Sequence, residues 1–210
     1  MLGPGARAAV GRFWAPVVTR LARAGVTPDA VTVTGTLGAI AAAVLLIARG
    51  ELFWGAFAVT LFVLLDMLDG ALARARGGGS AFGAVLDSTC DRAVDAAVFG
   101  ALVWWYTGAG EDRLLALLAL VGLTLGVLTS YIKARAEGVG IPCDVGLVER
   151  TERLILVLTG TGLTGLGIPY AVDVGLWLLV AGGAVTVGQR VVAVHRGARG
   201  RALSPSAPAP

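Results

Sequence analysis

Six long apolar runs restrict the folds open to this chain more than any other feature of its sequence. They lie near residues 29–48, 53–76, 83–107, 113–137, 146–166 and 171–195. Each has close to the ~20 residues that a helix needs to cross a bilayer. Charged residues make up 15% of the chain, whereas they make up roughly 25% of a typical soluble domain. The sequence therefore predicts an all-α, polytopic membrane protein with six transmembrane helices.

Segments of different composition flank the six runs. Apolar and Arg residues alternate within residues 5–24, a pattern typical of an amphipathic helix on an anionic membrane surface. A disordered basic leader is the alternative for this segment. The C-terminal end is rich in Pro, which favours disorder. We therefore divide the chain into an N-terminal juxtamembrane amphipathic segment (1–26), a membrane domain (27–196) and a disordered tail (197–210).

The basic residues predict the orientation of the chain in the membrane. Six spans place both termini on one side, and of the 17 Lys and Arg residues only Arg49 and Arg113 fall on the other. Cytoplasmic loops carry an excess of Lys and Arg. We therefore expect a multi-pass protein of the cell membrane with both termini and the candidate site facing the cytoplasm. Nothing in this pattern indicates a nucleic-acid partner.

Four aspartates interrupt the second and third apolar runs. Asp66 and Asp69 share one face of a helix, and Asp87 and Asp91 share one face of the next. Charged groups at membrane depth are costly and usually mark a functional site. A short Gly-rich turn joins the two runs, so the two acidic faces can converge. The sequence therefore predicts a metal site.

The types of ligand indicate which metals such a site prefers. Carboxylate oxygens without His or Cys favour Mg²⁺, Mn²⁺ or Ca²⁺. Four aspartates could hold two ions, and two ions about 4 Å apart suit phosphoryl transfer. Gly70 leaves room for a ligand, and the planar guanidinium group of Arg74 can donate hydrogen bonds to a phosphate.

Two further interpretations of the acidic set stay open at this point. A structural carboxylate–arginine network would leave much of the negative charge uncompensated. A cation transporter would also place carboxylates inside the membrane, although the sequence lacks the duplicated halves of many transporters.

The acidic pattern resembles that of a known family. From Asp66 to Asp91 the sequence reads D-x-x-D-G-x-x-A-R, eight residues, then G-x-x-x-D-x-x-x-D. This pattern is similar to that of the CDP-alcohol phosphotransferases. The resemblance implies a six-helix membrane fold, a homodimer, and Mg²⁺ or Mn²⁺ at the pyrophosphate of a CDP-linked lipid. An alcohol would attack the lipid-side phosphorus, and CMP would leave.

The same resemblance implies roles for individual residues. Asp66, Asp69, Asp87 and Asp91 would bind metal, and Asp91 would also act as the general base. Contacts to CDP-diacylglycerol would come from seven residues: Asp29, Ala30, Val31, Thr32, Gly70, Arg74 and Ser80. Asp95 lies outside the motif, where it either supports the site or belongs to a helix-packing contact.

Basic residues in the later runs indicate a phosphorylated acceptor. Lys133, Arg153 and Arg190 lie in the cytoplasmic halves of the last three runs, and a neutral alcohol would not need several cations. Positive-inside anchors are the alternative for some basic residues here. The short segments around Lys133 and Arg153 resemble the actinobacterial phosphatidylinositol phosphate synthases. That resemblance implies that all three residues bind the phosphate of inositol 1-phosphate. Glycerol 3-phosphate is the alternative acceptor.

Overall fold

Every regular element that the structure describes is a helix. A computed structural model of the chain describes residues 16–202, without the side chains of Met67 and residues 200–202. Within this range none of the residues forms a β-strand, so the all-α prediction is confirmed. Seven helices follow one another: α1 (16–23), α2 (Pro28–Leu45), α3 (Leu52–Ala75), α4 (Ala81–Thr107), α5 (Arg113–Gly138), α6 (Arg150–Gly165) and α7 (Ala171–Ala202).

Side-chain caps and glycines set several of the helix ends. The Thr27 hydroxyl accepts a hydrogen bond from the Ala30 amide at 3.2 Å, and Pro28 occupies the first position of α2. Thr as the cap and Pro at the first position are typical of a helix start. Asp112 caps α5 in the same way, through the Leu115 amide at 3.0 Å. Gly50, with a φ of 87°, allows the sharp turn before α3.

Four helical spans among the described residues are long and apolar enough to cross a membrane: Pro28–Arg49, Leu52–Ala75, Arg113–Gly138 and Ala171–Arg199. The first of them joins α2 to a short 3-10 helix, Ile47–Arg49. Two helices of the predicted six-span layout are not among them. α6 has only 16 residues, and the first half of α4 carries Asp87, Asp91, Arg92 and Asp95. Membrane crossing by α4 and α6 therefore stays a prediction.

The chain divides into two compact units, and the boundary between Ala101 and Leu102 falls within α4. In the first unit α2 packs along α3. A Cβ added at Gly38 would overlap the Phe62 ring, and one added at Gly35 would lie 3.6 Å from Asp66 Oδ1. The small residues of α2 thus let its backbone approach the helix that carries Asp66. Val18 of α1 packs with Leu68 and Leu72 of α3.

In the second unit α5 and α6 both pack against α7. The contact between α6 and α7 is close because glycines line it. A Cβ at Gly175 would lie 2.7 Å from the Leu156 carbonyl oxygen, and one at Gly160 would lie 2.9 Å from the Ala171 carbonyl oxygen. Backbone atoms occupy the space that a methyl group would need at both positions.

Two helix ends differ from the sequence prediction by four residues or more. α6 begins at Arg150 rather than near residue 146, because the preceding segment is held in a non-helical conformation by α7. The amides of Leu147 and Val148 donate to the Thr186 hydroxyl at 3.1 and 2.9 Å. A reciprocal capping box between Glu149 and Glu152 then starts the helix.

The second difference is at the end of α7, which continues to Ala202 rather than ending near residue 195. The predicted tail therefore begins inside a helix, and its residues 203–210 lie outside the described part of the chain. At the other end, residues 1–15 of the predicted amphipathic segment also lie outside it. Residues 16–23 of that segment are helical.

Candidate active site

Three of the four predicted metal ligands converge. Asp66 and Asp69 on α3 and Asp87 on α4 each offer a carboxylate oxygen, and these oxygens lie within 4.8 Å of one another. The turn between the two helices makes this possible, since Gly77 and Gly78 adopt φ values of 98° and 123°. Such values are strained for residues with a side chain. Three hard oxygen donors at this spacing fit a divalent cation such as Mg²⁺ or Mn²⁺.

Hydrogen bonds fix the orientation of the Asp69 carboxylate. The Thr32 hydroxyl of α2 donates to Asp69 Oδ2 at 2.5 Å. The Gly70 amide donates to the other oxygen, Oδ1. Thr32, which the sequence predicts to contact the CDP-lipid, thus also holds a candidate metal ligand.

Other predicted contacts to the CDP-lipid gather at the starts of α2 and α4. The Gly83 amide donates to the Ser80 hydroxyl at 2.8 Å. A Cβ at Gly83 would lie 3.2 Å from that hydroxyl and 3.3 Å from Asp29 Oδ1. Ala30 and Val31 follow Asp29 in the first turn of α2. Helix N-termini favour anions such as phosphate.

Gly70 and Arg74 lie next to each other on α3. A Cβ at Gly70 would lie 3.4 Å from Arg74 Nη1, and Arg74 is exposed. The guanidinium group therefore lies over the glycine, one turn from Asp69.

Asp91, the fourth predicted ligand, lies outside the group of three among the described residues. Its Oδ2 is 3.7 Å from Arg92 Nη2, and Arg92 Nε is 3.5 Å from Asp95 Oδ2. Asp95 is buried. Arg92 was not predicted from the sequence, although its spacing of three residues from Asp95 signals the pair. The contact with Arg92 favours a supporting role for Asp95.

In the second unit the side chain of Arg190 is buried and donates three hydrogen bonds. Its guanidinium donates to the carbonyl oxygens of Val145 and Thr129 at 2.8 and 2.7 Å, and to Glu149 Oε1 at 2.9 Å. Arg190 thereby joins α5, α6 and the segment between them to α7. Three of the five N–H donors of an arginine are used in these bonds.

Arg153 is also buried, with 2% of its surface exposed. It packs against Gly126 of α5, where an added Cβ would lie 2.8 Å from the guanidinium carbon. A methyl group at position 126 would require the guanidinium group to shift. The sequence offers no signal for that contact, because 27 positions separate the two residues.

Lys133 forms ion pairs near the surface. Its Nζ lies 2.5 Å from Asp144 Oδ1 and 3.8 Å from Glu137 Oε1. The hydrogen bond from Lys133, followed by the attraction of its charge, lowers the pKa of Asp144 below its ordinary value. Asp144 is therefore ionised at neutral pH.

A family model identifies the chain. The model for CDP-alcohol phosphatidyltransferase matches residues 25–189. The chain belongs to the CDP-alcohol phosphatidyltransferase family. The family prediction made from the acidic motif is thereby confirmed. Together with the four long apolar helices, membership in the CDP-alcohol phosphatidyltransferase family identifies an integral membrane protein.

Relatives within the CDP-alcohol phosphatidyltransferase family carry more specific names. The phosphatidylinositol phosphate synthase of Mycobacterium marinum is 50% identical over 191 residues, which cover 90% of this chain and 82% of the relative. The Mycobacterium tuberculosis phosphatidylinositol phosphate synthase with CDP-DAG bound is 49% identical, with a TM-score of 0.84 over 87% of this chain and 94% of that one. A crystal structure of the same enzyme with manganese and citrate has a TM-score of 0.83 at 49% identity, over 86% of this chain and 88% of that one.

Proposed function

We propose that this protein is a phosphatidylinositol phosphate synthase. It would transfer the phosphatidyl group of CDP-diacylglycerol to 1D-myo-inositol 3-phosphate, also called L-myo-inositol 1-phosphate, and release CMP. The observation that carries the proposal is the convergence of Asp66, Asp69 and Asp87 in a chain that is 50% identical to a named synthase. With this assignment, the protein is an enzyme of phospholipid biosynthesis.

The acidic set would hold the metal and the donor. Asp66, Asp69, Asp87 and Asp91 are the proposed ligands of two ions, with Mg²⁺ or Mn²⁺ as the metal. When bound, the ions neutralise charge on the diphosphate oxygens. The remaining donor contacts would come from the residues predicted for it: Asp29, Ala30, Val31, Thr32, Gly70, Arg74 and Ser80.

Asp91 is the proposed general base. The hydroxyl oxygen of the acceptor forms a bond to the phosphorus that carries diacylglycerol, and that phosphorus loses its bond to the bridging oxygen. CMP leaves with the bridging oxygen, and Asp91 takes the hydroxyl proton. Asp91 contacts Arg92, which would hold its carboxylate in place.

Lys133, Arg153 and Arg190 would bind the phosphate of the acceptor. Two observations support this assignment: Arg153 and Arg190 are buried cations, and Lys133 is one-third exposed. Arg190 retains two N–H donors beyond its three hydrogen bonds.

We further propose the arrangement of the chain in the cell membrane. α4 and α6 would complete six spans, with the amphipathic N-terminal segment on the membrane surface. Both termini and the site would face the cytoplasm, where the soluble acceptor is available. A homodimer is part of the same proposal, since the family resemblance implies one.

An acceptor panel tests the function. Purified protein receives CDP-diacylglycerol and Mg²⁺ together with inositol 1-phosphate, glycerol 3-phosphate or free inositol, and CMP release is measured. The proposal expects a kcat/KM for inositol 1-phosphate at least about tenfold above the others, a difference of about 1.4 kcal/mol. A preference for glycerol 3-phosphate would assign a phosphatidylglycerophosphate synthase instead, and cation flux without CMP release would point to a transporter.

A further inference from the structure

The ammonium group of Lys133 forms an ion pair with a carboxylate in this structure. Asp144 lies in the segment between α5 and α6, and its Oδ1 is 2.5 Å from Lys133 Nζ. Glu137, one turn after Lys133 on α5, adds a second carboxylate at 3.8 Å. Two negative charges thus neutralise one cation.

The backbone around Asp144 is held firmly, whereas its side chain is accessible. Ile141 and Cys143 are buried on one side of it. On the other side, the Val145 carbonyl accepts a hydrogen bond from Arg190 at 2.8 Å. The side chain of Asp144 itself is 65% exposed. A competing anion can therefore replace the carboxylate without unfolding the segment.

Charge decides which ligands can compete for Lys133. A phosphate monoester carries about −1.5 to −2 charges at pH 7, so it attracts the ammonium group more strongly than one carboxylate does. A neutral polyol brings no charge and cannot displace a carboxylate from a cation. The ion pair can therefore be displaced by a phosphorylated ligand and not by a neutral one.

We propose that Asp144 sets the affinity for the acceptor, because it pairs with Lys133 until the phosphate of the acceptor displaces it. The inference rests on the proposed function, in which Lys133 contacts that phosphate. Asp144 would raise the KM for the phosphorylated acceptor, because each binding event must break the ion pair. It would also keep Lys133 from attracting weaker anions.

The variant Asp144→Asn tests this role through the KM for inositol 1-phosphate. We expect KM to fall about two- to fivefold, the range that an exposed ion pair can supply, with kcat changed by less than about twofold. Inhibition by inorganic phosphate should strengthen by a similar factor, while Asp144→Glu should keep the wild-type KM. Glu111→Gln removes an exposed acid elsewhere in the same unit and should change neither constant.

Unchanged or raised KM in Asp144→Asn, with the protein folded, would overturn the proposal. Asp144→Ser repeats the test with a shorter side chain if the first variant is unstable. Lys133→Met separates this inference from the proposed function. If Lys133→Met leaves KM unchanged, the acceptor site itself is wrong; if it raises KM while Asp144→Asn has no effect, only the role of Asp144 is wrong.

Discussion

Thr32 orients one of the carboxylates of the acidic site. Its hydroxyl donates to Asp69 Oδ2 at 2.5 Å, and Thr32 is buried. A partner that orients a ligand carboxylate also sets the affinity for the metal. Thr32 thereby acts on the site through Asp69 as well as through its proposed contact with the donor.

Thr32→Val should therefore weaken metal binding. We expect the Mg²⁺ concentration for half-maximal CMP release to rise about tenfold, because the lost hydrogen bond leaves Asp69 less well oriented. Thr34→Val is the matched control, since Thr34 lies on the same helix, is exposed and donates to the Ala30 carbonyl. Equal metal dependence in both variants would show that Thr32 does not orient Asp69.

The sequence predicts contacts within one helix better than contacts between helices. The grouping of Asp66, Asp69 and Asp87 was predictable, because a period of 3.6 residues and a Gly-rich turn place them together. The bond from Thr32 to Asp69 spans 37 positions, and the bond from Arg190 to Thr129 spans 61. No periodic pattern connects positions so far apart.

Helix α6 illustrates the same limit at the level of elements. Hydrophobicity predicts a helix from about residue 146, yet the segment before Arg150 is held by Thr186 and Arg190 of α7. Those contacts depend on the tertiary structure. The local signal that was available is the Glu149–Glu152 spacing, which indicates a capping box at the true start. Most other helix starts agree with the prediction within two residues, because caps and glycines mark them.

The packing of α6 on α7 gives a prediction about stability. Gly175→Ala places a methyl group 2.7 Å from the Leu156 carbonyl oxygen, so the helices must separate. We expect a loss of about 1–3 kcal/mol, measured as a lower Tm of the purified protein. Gly188→Ala on the same helix meets no atom within 4 Å and should raise the Tm slightly, because alanine favours a helix more than glycine does. Equal Tm values for the two variants would contradict the close packing.

The residues assigned to the two substrates lie in different units of the chain. The acidic set and the predicted CDP-lipid contacts precede Ala101, whereas the three cations assigned to the acceptor phosphate follow Leu102. One half of the chain would hold the donor and the other would select the acceptor. Composition predicted the membrane class, but the membrane crossings of α4 and α6 need an experimental test of topology.

Cysteine labelling tests the crossing of α4, because Gly79 and Ala109 lie just outside its two ends. In a Cys90→Ser, Cys143→Ser background, Ala109→Cys should react with a membrane-impermeant maleimide in intact cells. Gly79→Cys should react only after permeabilisation, because the basic loops are expected inside. The background without cysteine is the control. The reverse labelling pattern would contradict the cytoplasmic orientation of the site.

A single competition assay can identify the acceptor. Equal concentrations of inositol 1-phosphate and glycerol 3-phosphate compete for CDP-diacylglycerol in one reaction, and mass spectrometry identifies the lipid product. The proposed function expects phosphatidylinositol phosphate to predominate by at least about tenfold, the ratio that about 1.4 kcal/mol of transition-state preference gives. Phosphatidylglycerophosphate as the main product would contradict it.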